Sequence, residues 1–229
     1  MYKQPHHQRV FQLLQTLDGS LLEQSECYFG GGTAIALSLD EYRESVDIAL
    51  MCASAEGYRT LRNIAYDRGL AGFFTTTPKQ LRDLKADRYG IRTFIEVDDT
   101  PIKFEIIRED RIPLSGEMSP IWGIPALCRA DMYAEKLLAN TDRYADISTA
   151  SRDIIDLALM IQGWGPIPEI AWEKVGNAYG ESAGKAFNSA IEMTARHGHL
   201  AACLKKLQMD DSWLQRIPRI LSITASPDK

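Results

Sequence analysis

Apolar residues near the start of the chain recur at helical spacing. Val10, Phe11, Leu13, Leu14, Leu17, Leu21 and Leu22 predict a first helix. Cys27-Tyr28-Phe29 is a short approach to a run of glycines, and residues 33–39 suit a short buried helix capped by Thr33. After the polar turn Asp40–Glu44 the period changes to two. Val46, Ile48 and Leu50 fall on one face and Asp47, Ala49 and Met51 on the other, which predicts a strand over about 46–52. A helix over about 55–69 should stop at Gly69. Ile91 to Val97 and Ile102 to Ile107 read as the arms of a hairpin around Asp98-Asp99-Thr100-Pro101. From about 126 onward the pattern is helical, interrupted once by Pro166-Ile167-Pro168. Gly116, Pro120, Gly123 and Pro125 cluster at the junction. The pattern therefore predicts an α+β chain, with a mixed α/β domain over 1–120 and a helical domain over 121–229.

Composition adds bounds. The 229 residues are 45% apolar and 25% charged, ordinary for a soluble globular protein. A net charge of −5 argues against a surface coated in basic residues but leaves room for a local basic cleft. The four cysteines, Cys27, Cys52, Cys128 and Cys203, form no CxxC and read as free thiols in a reducing cytosol. No apolar run reaches the roughly 18 residues of a membrane span, and the first residues lack the apolar core of a signal peptide. The expected location is the cytoplasm, with no membrane partner.

Candidate chemistry gathers around the glycines and the strand after them. Gly31-Gly32 allow close backbone approach, and amides at a helix N-terminus bind phosphate; a tight turn needs such a pair just as much. If the strand at 46–52 neighbours the second hairpin arm, Asp47 and Glu105 can converge on a divalent cation, Mg²⁺ or Mn²⁺. The same spacing also describes two solvated residues on the outer face of a sheet. Lys79, Arg82 and Lys85 have the spacing of one helix face and continue to Arg88 and Arg92. They read as contacts for a triphosphate or RNA backbone, or as a salt-bridged surface. Arg59, Arg62 and Arg68 read as ordinary surface charges. His197-Gly198-His199 reads as a helix-ending turn rather than a metal site. The four tryptophans read as packing residues.

Gly31-Gly32-Thr33-Ala34-Ile35-Ala36-Leu37 followed by Arg43-Glu44-Ser45-Val46-Asp47-Ile48-Ala49-Leu50 resembles the first motif of the AbiEii/AbiGii-type nucleotidyltransferase toxins. Ala134-Glu135-Lys136-Leu137-Leu138 is similar to that family's lysine-bearing helix, and Ser151-Arg152-Asp153-Ile154-Ile155-Asp156-Leu157 to its Arg-Asp-x-x-Asp helix. The matches follow the family's order. The resemblance implies a polymerase-β-like nucleotidyltransferase core with a helical C-terminal half that completes the cleft. It implies nucleotide transfer from an NTP to an acceptor such as the tRNA 3′ end, and a cognate antitoxin. By the resemblance, Gly31, Gly32 and Thr33 would cradle phosphates, with Ser45 beside the triphosphate. Asp47 would bind metal, and Glu105 would be a further carboxylate. Lys136 would neutralise phosphate charge, and Asp153, or Asp156 in its place, would act from the helical half. The departure is Ala49, where the family carries an aspartate; a methyl group cannot coordinate a cation. Ala49 reads either as an inactivating change made so that a toxic protein could be produced, the minimal edit, or as the mark of a natural binding protein without turnover.

Overall fold

In the computed structural model, residues 2–223 are described. They form two compact units. The first takes in residues 2–37 and 45–128, and the second 38–44 and 129–223.

The first unit opens with α1 (Pro5–Leu14), where proline at the first helical position gives up an N–H that has no partner anyway. The single helix predicted through Leu22 is broken at 15–18. Asp18 N donates to Phe73 O at 2.9 Å, and Leu17 bridges Phe74. The Asp18 carboxylate then accepts from Leu21 N at 3.0 Å and starts α2 (Gly19–Gln24). A capping aspartate and a tertiary hydrogen bond outweigh the apolar period.

β1 (Cys27–Gly30) leads into α3 (Gly31–Ser38), and β2 (Ile48–Cys52) follows. α4 (Ala55–Arg68) is capped by Ser54, whose hydroxyl accepts from Gly57 N at 2.8 Å, and ends at Gly69 with φ +62°. The remaining strands are β3 (Lys79–Gln80), β4 (Lys85–Ala86), β5 (Gly90–Val97), β6 (Thr100–Arg108), β7 (Gly116–Met118) and β8 (Pro125–Leu127). They form one mixed sheet in the order β3-β5-β6-β2-β1-β8-β7, with β4 also on β5. β2 runs parallel to β6 and antiparallel to β1. The hairpin β5–β6 closes through Asp98 and Asp99, both with positive φ, as a turn matched to strand twist requires. Ile102, Phe104 and Ile106 are wholly buried with Ile48 and Leu50, so the predicted alternation holds there.

The expected basic helix face is corrected in this unit. Lys79, Arg82 and Lys85 do not share a helix, because Lys79 and Lys85 lie in separate edge strands paired with β5. The boundary expected at 120 lies at 128 by packing, since β8 still pairs with β1 and belongs to the sheet.

The second unit contains α5 (Arg129–Arg143), α6 (Arg152–Trp164), α7 (Glu169–Tyr179), α8 (Ser182–Ala195), α9 (His199–Lys206) and α10 (Trp213–Ser222). Its core includes Tyr133, Leu137, Leu138, Ile154, Ile155, Leu157, Phe187 and Leu204. Gly198, with φ +73°, starts α9, and His199 bonds Ser151 Oγ at 2.9 Å. Among the described residues no helix is long and apolar enough to cross a membrane.

Candidate active site

The glycine turn is the junction of β1 and α3. Gly31 has φ +71°, a conformation that favours glycine, and a Cβ there would come within 3.3 Å of the Ala49 Cβ. Gly30, outside the predicted pair, is needed for packing: a Cβ there would stand 2.7 Å from Leu127 Cδ1. Register places Gly30 opposite Ala49 on one side and Glu105 opposite Ala49 on the other. Position 49 therefore sits between the glycine turn and the second strand carboxylate.

The segment before β2 is held by side chains. Val46 and Asp47 precede the strand, and Val46 is 38% exposed rather than in the core. Thr33 does not cap α3. Its Oγ1 donates to Asp47 O at 2.5 Å and bonds Ser45 Oγ at 2.9 Å. Ser45 N donates to Nε2 of the buried His7 at 3.1 Å. These contacts fix the backbone of residues 45–47 without a strand ladder. His7 is a site residue that the sequence pattern missed; only its distance in the chain from Ser45 hid it.

Glu105 is engaged by cations. Its carboxylate accepts from Arg92 Nε at 2.9 Å and from Lys103 Nζ at 2.6 Å. Asp47 lies two residues before Ala49, so it shares the alternating side of that strand with position 49. Among the described residues, no group of three or more His, Cys, Asp or Glu could hold a metal ion. The residues present do not fit a two-ion centre: Ala49 offers no donor, and both Glu105 oxygens are in ion pairs.

In the second unit the predicted residues meet one another. Lys136, 5% exposed, lies 3.0 Å from Asp153 Oδ1 and 2.9 Å from Asp156 Oδ2. Asp153 also accepts from Arg143 Nε at 2.7 Å. Asp156 is fully buried and takes a bidentate pair from Arg43, with Nε at 2.7 Å and Nη2 at 2.8 Å, and a hydrogen bond from Tyr42 at 2.6 Å. Burial alone would raise the Asp156 carboxyl; Arg43 and then Lys136 override it and hold it well below the usual carboxylate range. Asp153 is lowered in the same way, by Lys136 and Arg143 against burial. Burial and the adjacent Asp156 push the Tyr42 hydroxyl well up. Lys136, expected on a phosphate, and Asp156, expected as a stand-in for Asp153, are here internal members of an ion-pair network, because a buried charge needs partners. Arg43 was legible as a motif residue, but its pairing with Asp156 was not.

The basic series is dispersed. Lys79 pairs with Glu96, Arg82 stacks over Phe94 at 4.5 Å, and Lys85 lies opposite Arg92 in the ladder.

The family model described as nucleotidyl transferase AbiEii toxin, type IV toxin–antitoxin system, matches residues 12–224. No curated protein matches the chain. Among solved structures, JHP933 from Helicobacter pylori is 13% identical, with TM-score 0.56 over 97% of this chain and 93% of that one. A putative nucleotidyltransferase from H. pylori is 12% identical, with TM-score 0.54 over 95% and 92%. An antigenic nucleotidyltransferase-like protein from Paracoccidioides brasiliensis is 13% identical, with TM-score 0.52 over 93% and 98%. These three likenesses establish the fold.

Proposed function

This chain belongs to the AbiEii nucleotidyl transferase toxin family, and on that premise we propose that it is the toxin of a toxin–antitoxin pair, one whose transfer activity is held down by Ala49. The reaction would pass a nucleotidyl group from an NTP to a hydroxyl of an RNA acceptor, such as the tRNA 3′ end. The bond from phosphorus to the acceptor oxygen forms as the bond to pyrophosphate breaks, and the hydroxyl proton goes to solvent. The observation that carries the reading is the glycine turn set directly beside position 49, with Ser45 and Asp47 fixed next to it. Gly31 and Gly32 leave room for phosphate, and Ser45 supplies a hydroxyl. An antitoxin is the implied protein partner.

The test pairs this chain with its Ala49→Asp variant. Each is incubated with Mg²⁺ or Mn²⁺, each labelled NTP in turn, and total tRNA. Label should appear on RNA with the Ala49→Asp variant and be lost on chelation. A ligand that stabilises transition-state charge supplies several kcal/mol, so the two chains should differ by about two to three orders of magnitude in rate. A second reading, a transferase fold that binds without turnover, draws on the Arg92 and Lys103 contacts to Glu105. It predicts that neither chain labels any acceptor while labelled NTP still binds both.

A further inference from the structure

Arg59 and Arg62, read from the sequence as ordinary surface charges, line one pocket together with Arg108, Tyr58 and Ala55. The pocket has a volume of about 120 Å³. Ala55 begins α4, and Arg59 and Arg62 lie three residues apart on that helix, on one face. Arg108 ends β6, opposite Cys52 at the end of β2. By strand alternation Arg108 shares the side of Phe104 and Ile106, away from Glu105. Position 49 is near the start of β2 and this pocket is at its end, so the two are distinct.

The charges converge with little compensation. Arg108 Nε pairs with Asp110 Oδ1 at 2.8 Å. Among the described residues, no hydrogen bond or ion pair engages Arg59 or Arg62. Guanidinium groups present forked donors that match phosphate oxygens. Pockets that take a whole small molecule hold about 300–1,000 Å³, so this one takes a single group rather than a nucleotide.

Two exposed rings flank the arginines. Tyr66, one turn beyond Arg62 on α4, is 67% exposed, and its hydroxyl donates to Ala86 O at 3.0 Å. Tyr89 is 59% exposed, its carbonyl accepts from Arg108 N at 3.1 Å, and Arg88 lies 4.5 Å from its ring centroid. Tyr58 donates to Asp87 O at 2.7 Å, which ties the same turn to α4. A basic pocket between exposed aromatic rings suits a strand whose phosphate is anchored and whose bases stack.

We propose that this pocket seats one backbone phosphate of a single-stranded RNA, with Tyr66 and Tyr89 as stacking surfaces for the flanking bases. The site binds RNA whether or not transfer occurs, and binding is measured without turnover.

The probe is a fluorescein-labelled oligouridylate, titrated by anisotropy over a series of KCl concentrations. Arg59→Gln/Arg62→Gln should weaken binding about tenfold. It should also lower the slope of log K against log salt by about 1.4, two phosphate contacts at about 0.7 each. Tyr66→Ala/Tyr89→Ala should weaken binding about fivefold or more with the slope unchanged. Arg68→Gln, an exposed arginine of α4 that does not line the pocket, should change neither. Thermal melting followed by circular dichroism checks each fold. If the double arginine variant fails to fold, the exposed Arg59→Gln alone should lower the slope by about 0.7. Unchanged affinity and slope in a folded arginine variant overturn the proposal. So does a variant that keeps RNA binding and loses binding of labelled ATP, which would assign the pocket to a free nucleotide.

Discussion

Asp156 shows how much a single residue can hold. Its carboxylate is fully buried and answers two cations and a phenol. Asp156→Asn keeps the shape and removes the charge, leaving Arg43 and Lys136 under-compensated in a dry site. Breaking a buried pair from one side costs about 3–5 kcal/mol, and a shift of the urea midpoint to lower concentration, with an unchanged slope, checks it. Position 49 behaves differently. Ala49 is a small side chain against the Gly31 backbone, so an aspartate there changes chemistry and only slightly changes packing.

At the scale of elements, the link between α3 and β2 is the part that side chains control. Thr33 reaches from the third position of α3 to the carbonyl of Asp47 and the hydroxyl of Ser45. Thr33→Val keeps the buried volume and removes both bonds, at a net cost of about 1 kcal/mol. Amide hydrogen exchange of residues 45–47 should quicken, while that of the β5–β6 hairpin stays as it was. Equal protection in both chains would show that the ladder after Ile48, not Thr33, fixes the segment. The same scale explains which predictions held. α4 carries its own start and stop, in Ser54 and Gly69, and the hairpin carries its own turn in Asp98 and Asp99. The first helix and the basic series lacked such local signals, so Phe73 O broke the one and pairing with β5 recast the other.

Over the whole molecule, the buried carboxylates set the response to acid. Asp153 and Asp156 both titrate below their usual range in the fold. The unfolded chain binds the proton first, near the ordinary aspartate value of about 3.9, so the stability from these groups is complete above that pH. It is lost as pH falls through the lower folded values. Melting midpoints should be flat from neutrality to about pH 4 and fall steeply below it, and Asp156→Asn should flatten that fall.

The sequence by itself determined the helical and extended segments with strong local signals, the glycine turn, the family motifs and the gap at Ala49, because each is written in neighbouring residues. Only the tertiary structure decided which charges meet. Arg43 and Asp156 stand 113 residues apart in the chain, Glu105 is matched to Arg92 across a hairpin, and Arg59 and Arg62 gain a pocket only when Arg108 arrives at the end of β6. Charge pairing depends on distance and burial after folding, and neither quantity exists until the sheet has its strand order and the helices have buried their faces.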